Sequence, residues 1–284
     1  MNDAALRTFI AIADTGSLVR ASERLNVTQS TVTARLKTLE EELGQTLFTR
    51  GKAGARLTAA GARFRRYAEA MTALWGQARQ DVALPKGVEG TCNIGCHPDL
   101  WEGYGAPAAR AIRDAGPAVS AWPCRDGDID DWLASGLVDF VLAFRPSTRE
   151  GFSSRKLAEE ALKLYSTDPE SPIRFDPSYV FVEGGENFGR AHHAAYADAD
   201  TARMTFGAAR WALDHILMKG GSAYLPASLA ATATDRLHEK REAPAFARAV
   251  YLITSDRAAE GWPWLIPVAA LLGDQANRVQ TAPR

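Results

Sequence analysis

The chain lacks several things that would decide its class quickly. Cysteine is scarce. Cys92, Cys96 and Cys124 are an odd three in 284 residues, which make no disulfide framework and are expected as reduced thiols. No stretch approaches the roughly 18 to 20 consecutive apolar residues of a membrane-spanning helix, and runs such as Phe140 to Phe144 are far too short. The start, Met1-Asn2-Asp3, has no basic segment followed by an apolar one, which reads as a cytoplasmic protein. Net charge is almost absent, at −1. No Ser/His/Asp or paired-carboxylate arrangement is legible, so neither an enzyme nor a bound cofactor is expected. What remains, 46% hydrophobic and 24% charged residues, excludes disorder and collagen and describes two or three globular domains.

The near-neutral total hides an asymmetry. Residues 1–90 carry 13 Lys and Arg against 9 Asp and Glu, while the rest carry 20 against 25. A basic head on an unrelated acidic body is one footprint of nucleic-acid binding, and chance clustering on a solvated surface is the other reading. The first sixty residues favour the former. Leu6, Phe9, Ile10 and Ala13 recur at helical spacing, and Gly16-Ser17 ends that helix. Ser17 to Leu25 predicts a second, short helix whose small Ala21 permits close crossing by a third. Thr28 is a suitable N-cap for that third helix, with Val32, Leu36, Leu39 and Leu43 on one stripe and Gly44 as its stop. Two helices joined by a tight turn, the second opening on small polar residues, is the helix-turn-helix pattern.

Opposite the apolar stripe lie Ser30, Ala34 and Lys37, flanked by Gln29, Thr31, Thr33 and Arg35. Gln can bond adenine through two atoms, and Ser and Thr reach bases or phosphates. The run Glu40-Glu41-Glu42 would repel phosphate, so the N-terminal half of the helix is expected to face DNA, unless those charges only solvate the helix end. Leu47 to Thr58 then reads as a β-hairpin wing whose Arg50, Lys52 and Arg56 can reach phosphates. Ser17 to Thr33, Leu39 to Gly44, Leu47 to Arg50 and Leu57 to Gly61 together resemble the LysR-type transcriptional regulators. The resemblance implies that the third helix reads the major groove through Gln29, Ser30, Thr31, Thr33 and Arg35, with Lys37 on the same face. Arg50 and Lys52 would then touch the backbone. Ala34 departs from the polar or basic residue often found there, so no operator preference carries over.

The resemblance implies an α+β multidomain fold. It comprises an N-terminal winged helix-turn-helix (1–57), a long linker and dimerisation helix with a hinge (58–90), and a C-terminal two-lobed α/β effector domain like a periplasmic binding protein (91–284). Lobe 1 would hold about 91–163 and 255–284, and lobe 2 about 164–254. In the linker, Phe64, Met71, Leu74 and Trp75 need a cover, either a symmetry mate or the body of the same chain. Beyond it, Cys92 to Gly95, Val119 to Pro123 and Val138 to Phe144 read as strands alternating with helices at Tyr104 to Ala115 and Asp128 to Ser135. A second set follows, with Tyr179 to Val182, Arg203 to Phe206 and Gly220 to Pro226 around helices from Asn187 and Ala208. Ala249 to Thr254 returns the chain, and Trp262 to Leu272 closes the first lobe as a helix.

Such sheets bind ligands beyond the carboxyl ends of their strands, which nominates Cys96, His97, Arg125, Phe144, Arg145, Gly184, Phe206, Gly207 and Gly220 for an effector. The arginines suit an anionic effector, or else form salt bridges to Asp126 or Glu150. Cys92-x-x-x-Cys96-His97 has poor spacing for zinc, so no metal is expected. Buried thiols two pleats apart, or redox sensing through an exposed Cys96, are the open readings. Expected partners are double-stranded promoter DNA, a small-molecule effector of unknown identity, and a second copy through residues 58–84, with a tetramer favoured. RNA polymerase is left room as a further partner.

Overall fold

The computed structural model describes residues 3–51, 54–84, 86–88, 90–198, 202–256, 268 and 270–272. The chain divides into two units, Met1–Lys86 and Gly87–Arg284.

In the first unit, helix punctuation is set by short polar side chains. Helices α1 (Asp3–Thr15), α2 (Leu18–Arg24) and α3 (Gln29–Leu43) follow one another. Ser17 accepts the Arg20 amide at the start of α2, and Thr28 accepts the Thr31 amide at 3.2 Å at the start of α3. Each such cap contributes about 1 kcal/mol. Gly44, at φ 62°, ends α3 in the left-handed conformation. Strands β1 (Phe48–Gly51) and β2 (Gly54–Leu57) pair antiparallel, with Thr49 opposite Arg56. The long α4 (Ala59–Val82) starts where Thr58 accepts the Gly61 amide at 3.0 Å. Two glycines allow close crossings. A Cβ on Gly54 would stand 2.4 Å from the Gly16 carbonyl oxygen, and one on Gly61 only 2.2 Å from that of Leu47.

The core of this unit contains Phe9, Ile12, Ala21, Val32, Leu36, Leu39, Leu47 and Phe48. Phe64 of α4 joins it edge-on to Phe9, ring centroids 5.1 Å apart, with buried Ala68 and partly buried Met71. Of the two covers left open, the same chain supplies one for Phe64 and Met71, which pack partly buried against the core around α1. Tyr67, Trp75 and Val82 remain exposed.

The second unit is a mixed sheet curling through two lobes. Its elements are β3 (Thr91–Cys96), α5 (Ala106–Asp114), β4 (Ala118–Pro123), α6 (Ile129–Ser135), β5 (Phe140–Ala143), β6 (Phe152–Ser166), β7 (Tyr179–Val182), α7 (Glu186–Ala195), β8 (Met204–Phe206), α8 (Ala209–Lys219), β9 (Ser222–Pro226), α9 (Ala227–Ala230), β10 (His238–Glu239) and β11 (Phe246–Ser255). The path runs β4-β3-β5-β11-β6-β9-β7-β8, with β10 paired to β6. Strands β3, β4 and β5 are parallel, as are β7, β8 and β9. The antiparallel pair β6 and β11 joins the two sets. Strand β11 is longer than the predicted return over Ala249 to Thr254, and in β6 polar exposed residues such as Arg155 and Glu159 obscure the apolar alternation.

Alternation assigns the faces. On β5, Phe140 and Leu142 face the cluster around α5, while Val141 and Ala143 face the one around α6. On β7, Val180 and Val182 face α8, while Tyr179 and Phe181 face α7. Cover on both faces explains why these strands read as nearly unbroken apolar runs. A π turn over Trp101–Gly105 precedes α5 within the predicted Tyr104 to Ala115 helix. Of the predicted closing helix, Val268 and Ala270 to Leu272 are helical, with Val268 and Leu272 buried in the first lobe. The Trp262-Pro263-Trp264 cluster lies outside the described residues. No helix among the described residues is long and apolar enough to cross a membrane.

Candidate nucleic-acid interface and interlobe cleft

Because α3 buries Val32, Leu36 and Leu39, the other side of the helix is fixed as a display surface. Gln29, Ser30, Ala34 and Lys37 are exposed, and Thr31, Thr33 and Arg35 are half-buried. Thr28 Oγ1 also meets the hydroxyls of Ser30 at 2.9 Å and Thr31 at 2.8 Å, so the first turn is held in a hydroxyl network. Thr38, one turn beyond Ala34, is exposed on this face and was missed by the sequence reading. The acidic run splits by role. Glu40 accepts the amides of Leu47 at 2.7 Å and Phe48 at 3.2 Å, tying the helix to the wing, and Glu41 lies 3.6 Å from Lys37. Neither orientation nor mere solvation describes Glu40. Arg56 is exposed on β2, whereas Lys52 and the Arg50 side chain lie outside the described residues.

In the second unit, the carboxyl ends of β3, β5 and β7 meet. Phe144 is packed between the His97 ring, centroids 4.6 Å apart, and the Arg248 guanidinium, 3.7 Å from its own centroid. Arg248, on β11, is 3% exposed. Its Nη1 lies 3.3 Å from Asp99 Oδ2 and its Nε donates to Glu160 Oε2 at 3.0 Å. Asp99 Oδ1, in the first lobe, accepts the Ala209 amide of the second lobe at 2.6 Å. Helix α8 has no side-chain cap from its own N-cap residue Ala208, so Asp99 supplies one across the cleft. Gly185 of the second lobe lies so near that a Cβ would stand 3.5 Å from Phe144 Cβ and 3.6 Å from Asp126 Oδ2. The cleft is therefore shut over a buried guanidinium.

Burial governs the titration of this floor. It lowers His97 to about 4, leaving a neutral ring, against a smaller opposing pull from Asp99. Burial raises the carboxyls of Glu160 and Asp126, partly offset by Arg248 and Arg145. Asp126 Oδ1 is buried with no hydrogen-bond partner among the described residues.

Comparison with known proteins now bears on both regions. The family described as bacterial regulatory helix-turn-helix protein, lysR family, matches residues 4–62. The HTH-type transcriptional regulator HdfR of Escherichia coli is 30% identical over 259 residues, which cover 89% of this chain and 91% of that protein. The chain belongs to the LysR family of transcriptional regulators. Two solved structures share the fold of this LysR-family chain. CbnR, a LysR family transcriptional regulator, has a TM-score of 0.67 at 21% identity and covers 98% of this chain and 99% of its own. DNA-bound DarR of Vibrio fischeri has a TM-score of 0.58 at 21% identity, covering 96% and 99%.

The nine residues nominated for the effector do not all converge. His97 and Phe144 pack ring against ring at a tilt of 60°, and Arg145 follows Phe144 in sequence but is held in its own lobe. Its guanidinium donates to the Asp126 carbonyl at 2.9 and 2.5 Å and stands 3.6 Å from Asp130. Its hydrogen bonds go to the carbonyls of Asp126 and Pro146, and its ion pair is with Asp130 rather than Glu150. Arg125 is exposed at the end of β4. Gly184 and Gly207 follow the carboxyl ends of β7 and β8, and Phe206 rests on His215, centroids 5.5 Å apart. Gly220 is a correction. It ends α8 and precedes β9, which runs parallel to β7, so it sits at the opposite end of the lobe from Ala209 and the cleft.

Cys96 is a second correction. It is 3% exposed, and it lines a groove of about 340 Å³ whose described walls, including Trp101 and Trp122, all belong to the first lobe. Burial pushes the Cys92 and Cys96 thiols well up and Cys124 up to about 12, so none is the exposed, readily ionised thiol that redox sensing needs. Sequence reasoning missed Asp99, Glu160 and Arg248, and named Asp126 only as a salt-bridge partner. A signal existed for Arg248, since Arg248, Val250 and Leu252 share the inward face of β11.

Proposed function

We propose that this regulator binds promoter DNA in the cytoplasm, through α3 in the major groove and the wing on the backbone, and responds to a small molecule between its lobes. The observation that carries the reading is the polar face of α3, held outward by its buried stripe and capped by Thr28. Gln29, Ser30, Thr31, Thr33 and Arg35 address base edges, while Lys37, Arg50 and Lys52 supply phosphate contacts that position the helix. Residues 1–57 form the DNA head, 58–90 the linker and hinge, and 91–284 the effector domain, with lobes divided near 163 and 255. The exposed Tyr67, Trp75 and Val82 of α4 offer the remaining apolar face for a second copy, and dimers pairing into tetramers suit an inverted-repeat operator. No turnover is proposed.

The effector acts by population shift. It favours one lobe arrangement, and can move the DNA heads by no more than its differential affinity for the two states. The shut cleft supports this reading, because any occupant must compete with the bond between Asp99 and Ala209 and with the packing of Gly185 on Phe144. Genomic footprinting of the purified protein, then a salt series on the best site with wild type, Arg35→Ala and Arg50→Ala, tests the DNA reading. Specific binding that falls steeply with salt and weakens in both variants is expected. Weak, sequence-blind binding would overturn it.

A further inference from the structure

The α7 side of the second lobe holds a cavity of about 420 Å³ that plays no part in the cleft. That volume lies in the range of small-molecule sites, roughly 300 to 1,000 Å³. Its wall is aromatic, with Tyr179 and Phe181 from β7, His192 from α7, Tyr196 just beyond that helix, and Tyr224 from β9. The polar atoms of this wall satisfy one another. Tyr179 Oη lies 2.8 Å from His192 Nε2, Tyr196 Oη lies 2.7 Å from Tyr224 Oη, and Tyr224 Oη donates to the Pro244 carbonyl at 2.8 Å. Burial lowers His192 to about 4, which leaves its ring uncharged at neutral pH. An occupant therefore meets π faces and edges from these five side chains, and the Asp176 carboxylate that also lines the cavity is engaged by the Ser178 hydroxyl at 2.6 Å and by that of Ser222.

The space exists because α7 carries Gly189 where the cavity lies, and a Cβ there would meet nothing within 4 Å. The mouth differs in chemistry from the depth. Arg174 and Arg203 line it, and Arg174 is fixed by Asp198 at 2.6 Å and by the Ala195 carbonyl at 2.9 Å. Between Arg174 and Asp176, Phe175 is 57% exposed and sits at φ 58°, a backbone region that bulky residues rarely adopt. An exposed phenyl ring held against its backbone preference at the mouth of an aromatic cavity is a second sign of a built site.

We propose that this cavity is a small-molecule site separate from the interlobe cleft, and that it takes an aromatic carboxylate of one or two rings. The ring stacks among Tyr179, Phe181 and Tyr196, and the carboxylate remains at the mouth beside Arg203.

The test is isothermal titration of the full-length protein with 2-naphthoate. Gly189→Leu fills the cavity with a good helix former placed in open space, so circular dichroism should be unchanged while affinity falls at least tenfold. Arg203→Ala should weaken 2-naphthoate about fivefold. The uncharged 2-naphthalenemethanol should bind Arg203→Ala as it binds wild type. Absence of binding to wild type, or unchanged affinity in Gly189→Leu, would overturn the proposal. So would affinity lost in Arg145→Ala but kept in Gly189→Leu, which would put the probe in the interlobe cleft.

Discussion

The two units handle polar side chains in opposite ways. In the first, the side chains proposed to meet DNA stand on the surface of a helix set by neighbours a few residues away, as when Thr28 caps Thr31. In the second, charge is turned inward, and Arg248 meets Asp99 across 149 residues of sequence. The lesson is one of desolvation. Surface charges can be exchanged at small cost, whereas a buried guanidinium commits every group around it.

Four measurements would break or sharpen that contrast. The largest effect is expected for Arg248→Met, which leaves Asp99 and Glu160 buried without their cation and should cost about 3 to 5 kcal/mol in urea denaturation. A loss below about 1 kcal/mol would mean that this floor is wetter than its burial implies. Gly61→Ala is the counterpart in the first unit. Its methyl would collide with the Leu47 carbonyl, for a loss of about 2 to 3 kcal/mol. A neutral result would show that the start of α4 moves away freely.

Acid should act on the second unit through its buried histidines. His97 titrates near 4 when folded, below its ordinary 6.5, so the unfolded chain binds the proton more readily between those values. The associated stability is present above about pH 6.5 and is lost as pH falls, by about 2 kcal/mol at pH 5. His97→Gln should flatten melting temperature against pH over that window, and an unchanged slope would show that His97 is solvated. The smallest effect is expected at the surface. Arg56→Ala should weaken DNA binding about equally at all sequences and reduce the salt slope by about one, whereas Gln29→Ala should relax sequence preference. The reverse pattern would exchange the roles of wing and helix.

How much was legible follows the same division. Caps, the apolar stripe and Gly44 are local signals, and they predicted α2, α3 and the wing closely. Strands β5, β7 and β9 were visible because cover on two faces leaves unbroken apolar runs. The site within the second unit was less legible. Strand ends pointed to His97 and Phe144, but nothing near Asp99 announces that its partner is an amide 110 residues on. Gly220 was misplaced because a glycine before a strand reads the same as one after it until strand direction is known. Which cover α4 takes was not legible, because the Phe9 ring that receives Phe64 lies 55 positions earlier.

The carboxylate that Asp99 lends to α8 ties the opening of the cleft to the fraying of a helix. When the lobes part, the Ala209 amide loses its acceptor at the moment the cleft admits solvent. That single proton becomes a clock for the hinge. Its exchange with deuterium reports how often the empty regulator opens, and an occupant that holds the lobes apart should quicken it, while one that seals them should slow it.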